Sequence, residues 1–189
     1  YKKGKRIDPG NYRPISLTSV VCKVMESIIR DKIVDHMMAN KLFCDEQHGF
    51  VPGRSCITQL LCCIEEWSAL LDMGLPIDII YLDFKKAFDA VPHHRLLEKV
   101  RSFGISGRIY KWLEHFLIGR KQRVIVGNEN SSWADVLSGI PQGSVLGPIL
   151  FVMFINDIPS ALQNISKIFA DDTKAYKVVR SIEEQDHLQ

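Results

Sequence analysis

The chain has 189 residues, 46% of them hydrophobic and 24% charged, with a formal net charge of +2. That is an ordinary globular composition, long enough to bury a core in one or two compact units, and no internal repeat or low-complexity segment interrupts it. A net charge so close to zero does not by itself announce a nucleic-acid partner. The charge is uneven, however. Lys2, Lys3, Lys5 and Arg6 cluster at the start, and Arg120, Lys121 and Arg123 cluster later. Such patches suit either phosphate backbone or a solvated surface.

The five cysteines, Cys22, Cys44, Cys56, Cys62 and Cys63, are odd in number and lack paired spacing, which argues against a disulfide framework. No Cys/His spacing suits zinc, and His93-His94 reads as a surface turn. The longest apolar run is too short to span a membrane and no signal peptide is visible, so the chain reads as intracellular with no membrane partner. It opens on Tyr1, as a piece of a longer product would.

In chain order, residues 1–17 are basic and broken by Pro9-Gly10 and Pro14, which predicts loop or extended chain. From a cap at Thr18 or Ser19, the residues Val21, Val24, Met25, Ile28, Ile29 and Ile33 recur at helical spacing, and this helix should end near Asn40. A loop rich in Gly and Pro fills 41–54. Ser55 then caps a second helix, whose apolar stripe of Ile57, Leu60, Leu61, Ile64, Trp67 and Leu71 reads as core packing and ends at Gly74. Cys62-Cys63 falls inside that pattern and reads as core.

The run Pro76–Phe84 is β-branched and nearly continuously apolar, as a buried central strand would be. Two short helices follow. The first carries Leu96, Leu97, Val100 and Phe103 and closes at Gly104; the second is capped at Ser106 and stopped at Gly119. Residues 122–126 and 133–137 flank a polar Gly-Asn-Glu-Asn-Ser-Ser turn and predict a hairpin. After a Gly-rich loop over Ser138–Pro148, a helix should run from about Ile149 to Asn156, broken by Pro159. Residues 181–189 read as the start of a helix that the chain end cuts.

Two acidic positions stand out. Asp171-Asp172 sits between β-prone segments, at what reads as the tip of a tight hairpin. Asp83 ends the apolar strand. Each alone is explained by a turn or a cap. Together they can supply hard oxygen ligands at neighbouring strand ends, of the kind Mg²⁺ accepts, and two such ions can clamp the oxygens of a nucleotidyl transfer.

The surrounding words make a resemblance. Tyr81-Leu82-Asp83-Phe84-Lys85-Lys86-Ala87-Phe88-Asp89 resembles motif A of reverse transcriptases, and the segment Ser138-Gly139-Ile140-Pro141-Gln142-Gly143-Ser144-Val145-Leu146-Gly147-Pro148 resembles motif B. Phe169-Ala170-Asp171-Asp172 resembles motif C, with Phe where the family often has Tyr. Upstream, Asn11-Tyr12-Arg13-Pro14-Ile15-Ser16-Leu17 and Gln47-His48-Gly49-Phe50-Val51-Pro52-Gly53-Arg54-Ser55 resemble the fingers motifs of non-LTR, LINE-type retrotransposon enzymes. The motifs stand in family order over nearly the whole chain.

The resemblance implies an α/β (α+β) right-hand polymerase core. Fingers would occupy 1–75 and the palm 76–180, the palm being a small, mainly antiparallel sheet with a helical insertion at 93–118; 181–189 would be a truncated tail. It implies RNA-directed DNA synthesis on an RNA template, from a DNA primer and dNTPs, with two Mg²⁺ ions, or Mn²⁺ in their place. Asp83, Asp171 and Asp172 would hold the metal. Phe88 would lie under the sugar and exclude a 2′-OH; Gln142 and Gly143 would sit near the incoming nucleotide. Arg13 and Arg54 match basic positions near template and triphosphate, although an arginine can equally pin a loop through carbonyls. No thumb follows motif C, so two other readings stay open: an inactive remnant binding RNA or protein, and a structural domain with turn aspartates. Oligomeric state is left undecided.

Overall fold

The computed structural model describes residues 1–162 and 165–180. The helix expected over 181–189 lies outside them. The opening segment folds through a 3-10 turn at Pro9–Asn11. Helix α1 (Val20–Ala39) begins where Ser19 Oγ accepts from Cys22 N at 3.2 Å. Helix α2 (Cys56–Asp72) begins with a reciprocal capping pair: Thr58 N donates to Ser55 Oγ at 3.1 Å, and Ser55 N donates to Thr58 Oγ1 at 2.8 Å. Strand β1 (Ile77–Asp83) leads to α3 (His93–Ser102) and α4 (Gly107–Leu117). A ribbon follows, built of β2 (Lys121–Gln122), β3 (Ile125–Val126), β4 (Glu129–Asn130) and β5 (Ala134–Asp135), with β2 pairing β5 and β3 pairing β4. Then come α5 (Gly147–Ile155), the single turn α6 (Ile158–Ala161), β6 (Ile165–Phe169) and β7 (Asp172–Val178).

The sheet is antiparallel throughout, in the order β1–β7–β6. The core centres on α5, whose Ile149, Leu150, Phe151, Val152, Met153 and Ile155 are all buried. A helix apolar on every side must be covered on every side. Leu96, Leu97 and Val100 of α3, Leu113 and Leu117 of α4, and Ile33 and Met37 of α1 join it in one cluster. No helix among the described residues is long and apolar enough to cross a membrane.

Several expectations are corrected. Strand β1 is an edge strand, not a central one; β7 takes the centre, and Tyr81 is 66% exposed. The ribbon turns more tightly than its polar run suggested, because Glu129 and Asn130 pair as strand and only Gly127-Asn128 turn. His93 is buried at the start of α3, while His94 is exposed beside Glu98. The apolar stripe of α2 faces outward: Ile57, Leu61, Ile64 and Leu71 are all exposed. The face that meets the sheet is polar. Gln59 Oε1 accepts from Lys174 Nζ at 2.8 Å, Glu66 pairs with Lys167 at 2.8 Å and accepts from the Tyr176 hydroxyl, and Trp67 meets Tyr176 edge to face. β6 and β7 present two lysines and a tyrosine there, and only a face with acceptors can satisfy them. Cys63 is buried in this interface and Cys62 half-buried. The first turns of α1 likewise expose Val21, Val24, Met25 and Ile28.

Candidate active site

The β1–β7 ladder ends with Asp83 opposite Asp172, and the β6–β7 ladder ends with Phe169 opposite Asp172. The hairpin turn is therefore only Ala170 and Asp171. Residues directly opposite in a ladder share a face, with Cβ atoms about 5 Å apart. The register thus brings Asp83 and Asp172 together, and Asp171 stands one residue earlier, in the turn. Asp83 and Asp172 are exposed and Asp171 half-buried. Among the described residues, none of the three carboxyl groups has an ion-pair partner. Nor does any group of three or more His, Cys, Asp or Glu side chains among them converge as a metal cage.

The turn is held from below. Ala170 adopts φ 55°, a left-handed conformation that alanine takes only when its surroundings insist. The loop before α2 supplies that support. His48 N donates to Ile168 O at 2.8 Å and Ile168 N to Glu46 O at 2.9 Å, so Gln47 forms a parallel bridge with β6. Gly49 lies so close that a Cβ there would stand 2.5 Å from Ala170 N and 3.1 Å from Phe169 C. Gly49→Ala is accordingly expected to cost roughly 1–3 kcal/mol through forced backbone movement, read as a lower urea midpoint. An unchanged midpoint would mean that the two loops are not packed as closely as this. His48 Nδ1 lies 3.1 Å from Thr58 Oγ1. Burial, and then the charges of Arg54, Lys167 and Lys174, hold its pKa below the ordinary histidine value.

The loop before α5 is tied to the opening segment and to the end of motif A. Gln142 Nε2 donates to Asp89 Oδ1 at 2.8 Å, and Gln142 Oε1 accepts from Arg13 Nε at 3.1 Å. Ser16 N also donates to Gln142 O at 2.8 Å. The opening segment, the end of motif A and the motif B loop thus meet on one carboxamide. Asp89 serves this junction instead of capping α3, whose N-cap is Pro92. Gly143 is exposed with φ 98°, and Gly139 leaves no room for a side chain, since a Cβ there would lie 2.7 Å from Asp89 O. Phe88 is half-buried and lies flat on Phe151, with centroids 4.2 Å apart.

Two arginines are committed to the scaffold. Arg54 donates through Nη1 to the carbonyls of Cys44 (2.7 Å), Asp45 (3.0 Å) and Gln47 (2.7 Å). Its Nη2 pairs with Asp45 at 3.2 Å. Of the two roles open to it, this is the loop-pinning one. Arg120, read as part of a surface basic patch, donates to Leu117 O at 3.0 Å and Gly139 O at 2.9 Å, and burial lowers its pKa.

Glu26, unmarked by any motif, is fully buried. Its Oε2 accepts from Val145 N at 2.7 Å and Leu146 N at 3.1 Å, at the head of α5. A signal for it was present, because Glu26 precedes the buried Ile29, Ile33 and Met37 by three, seven and eleven residues and so shares their face. Gln47 opens one of the fingers motif words but carries no charge or special chemistry that singles it out within it.

Comparison with known proteins can be set beside this geometry. Residues 1–188 match the family described as reverse transcriptase (RNA-dependent DNA polymerase). The chain belongs to the reverse transcriptase family. Relatives more than 30% identical to it are named RNA-directed DNA polymerases of transposons and mobile elements. A probable RNA-directed DNA polymerase from transposon X-element of Drosophila melanogaster is 34% identical over 91% of this chain. The RNA-directed DNA polymerase from mobile element jockey of Drosophila funebris is 32% identical over 84% of it. The chain spans 20% and 17% of those two relatives. Among solved structures, a Candida tropicalis telomerase truncated from its C-terminal domain superposes with a TM-score of 0.61 at 12% identity, over 88% of this chain and 36% of that one. A Candida albicans telomerase in complex with a fragment of telomeric RNA gives 0.59 at 14% identity, over 89% and 32%. These likenesses show the fold, the α/β fingers-and-palm architecture expected of the family.

Proposed function

We propose that this reverse transcriptase chain is the fingers (1–75) and palm (76–180) of an RNA-directed DNA polymerase, acting on an RNA template, a DNA primer and dNTPs. The observation that carries the reading is the register that sets Asp83 opposite Asp172 beside the Ala170-Asp171 turn. In the reaction a primer 3′-OH attacks the α-phosphate of a dNTP, forming a P–O bond and releasing pyrophosphate.

The donor set suits a hard divalent cation: carboxylate oxygens at a strand end, free of ion pairs among the described residues. Asp83, Asp171 and Asp172 would hold Mg²⁺, two ions in the full reading or Mn²⁺ in their place, and the metal would supply Lewis-acid charge to the reacting oxygens. The rest of the work is positioning. Gln142, anchored at both ends of its carboxamide, offers a fixed surface to the incoming nucleotide. Gly143 lets backbone approach it closely. Phe88, backed by Phe151, is the ring that would meet the sugar and refuse a 2′-OH. Arg13 sits at the rim, already oriented by Gln142, where a guanidinium suits phosphate. Arg54 contributes by holding its loop.

The test is primer extension on an RNA template with dNTPs and Mg²⁺, comparing the parent chain with Asp171→Asn. Extension by the parent and none by the variant is expected. No extension by the parent in Mg²⁺ or Mn²⁺ would overturn the reading of these residues as a working polymerase core, and an active variant would overturn the metal assignment.

A further inference from the structure

Resting on that reading of the carboxylates, we infer that Gln47 is a positioning residue for the Ala170-Asp171 turn, setting the carboxylates for metal through a hydrogen bond to the turn backbone. The carboxamide of Gln47 is fully buried, and its Oε1 accepts from Gly49 N at 2.7 Å and from Ala170 N at 3.0 Å. Both partners are N–H donors, so the atom facing them is the oxygen. Ala170 is the left-handed residue of the turn and Asp171 follows it directly. The bond therefore fixes the Phe169–Ala170 peptide, on the near side of the left-handed residue from which the chain enters Asp171. The other end of the carboxamide, Nε2, is buried without a partner among the described residues. A buried donor left unpaired is costly, and a side chain kept there despite that cost is kept for its acceptor. The neighbours enforce the arrangement: Gly49 makes the close approach possible, Arg54 fixes Gln47 O at 2.7 Å, and the Phe50 ring lies 6.4 Å from that of Phe169.

The experiment uses the chain itself with Mn²⁺ as probe. Mn²⁺ affinity is measured by paramagnetic resonance titration, and the Ala170 amide by hydrogen exchange. Four proteins are compared: the parent, Gln47→Met, Gln47→Glu and Asp171→Asn. Methionine keeps the volume and loses the acceptor. Burial favours the neutral carboxylic acid of Gln47→Glu, which keeps a carbonyl toward Gly49 and Ala170 and puts O–H where the amide had no partner. Gln47→Met is expected to bind Mn²⁺ about tenfold more weakly and to exchange the Ala170 amide about tenfold faster, while amides of α5 keep their protection. Gln47→Glu should return both readings to within about threefold of the parent. A general packing defect would not be rescued in that way. If Asp171→Asn loses Mn²⁺ and Gln47→Met does not, the positioning role is overturned and the metal site stands. Should Asp171→Asn bind Mn²⁺ as the parent does, or the parent not bind it at all, the metal reading falls; an unchanged Ala170 amide in Gln47→Met then overturns the Gln47 bond as well. If Gln47→Met does not fold, Gln47→Glu decides alone: a folded variant with a fast Ala170 amide overturns the inference.

Discussion

Asp83→Asn is expected to reduce primer extension by several kcal/mol of barrier, on the order of a thousandfold, while leaving the free protein as stable as the parent or slightly more so. The two halves of that expectation come from one register. Asp83 and Asp172 are cross-strand partners at the end of β1 and β7. Like charges directly opposite each other destabilise a ladder by a few tenths of a kcal/mol or more. Neither aspartate has a cation to answer it among the described residues. Removing one charge relieves the repulsion, and the urea midpoint measured in chelator should hold or rise. In Mg²⁺ the order should reverse, since a ligand bound only by the parent's folded state stabilises it by mass action. Asp172→Asn should show the same crossover, because it removes the other member of the same pair. A variant that kept its extension rate, or a parent whose midpoint ignored Mg²⁺, would remove the functional meaning of the pair and leave two turn aspartates.

The elements that were legible in the sequence are those whose signals are local. Ser19, Ser55, Gly74, Gly104, Gly119 and Pro148 mark helix ends through backbone chemistry that needs no partner, and the helices begin and end beside them. The motif C hairpin was legible for the same reason, but its turn is Ala170-Asp171, one residue earlier than the Asp171-Asp172 tip read from the sequence, and Asp172 is already paired as strand. What an apolar stripe cannot say is which neighbour will cover it. α2 carries a stripe clean enough to read as core, yet Lys167, Lys174 and Tyr176 lie where it docks, and their polar tips select its other face. The position of β1 failed similarly. A continuous apolar run fits a central strand, but strand order is set by pairing between segments some ninety residues apart, and β7 came to lie between β1 and β6.

The site divides along the same line. Asp83, Asp171, Asp172, Gln142 and Gly143 could be found because the motif words fix them, and the fold sets Asp83 beside Asp172 and Gln142 beside Asp89 and Arg13. The supporting contacts could not be found that way, although Gln47 and Arg54 both stand in one of the motif words. Arg54 reads in sequence equally as a phosphate ligand or as a loop pin, and in the fold its guanidinium bonds three carbonyls. Gln47 looks like an ordinary polar loop residue and reaches the hairpin turn. Their roles depend on backbone groups, and backbone groups have no letter in a sequence.

Glu26 is where that lesson has its largest expected consequence for stability. Its carboxyl joins α1 to the head of α5, at the centre of the core, by accepting two backbone N–H groups. It also accepts from Cys22 Sγ at 3.3 Å. An acceptor at a helix N-terminus answers both the unpaired donors and the positive end of the dipole. Glu26→Ala leaves a part-buried donor at Val145 and a buried one at Leu146 unpaired and opens a small cavity, and should cost about 2–4 kcal/mol. In a chain of this size that lowers the melting midpoint by roughly 5–15 °C. Glu26→Gln should cost far less, about 1 kcal/mol, because its carbonyl oxygen can still accept from Val145 and Leu146 while the amide turns toward the Cys22 sulfur. The comparison decides between two causes. If acceptor geometry holds the junction, Gln behaves like Glu. If the negative charge at the head of α5 holds it, Gln falls with Ala. Thermal unfolding of the three proteins at one pH and salt separates them, and equal stability of all three would show that the junction contributes nothing.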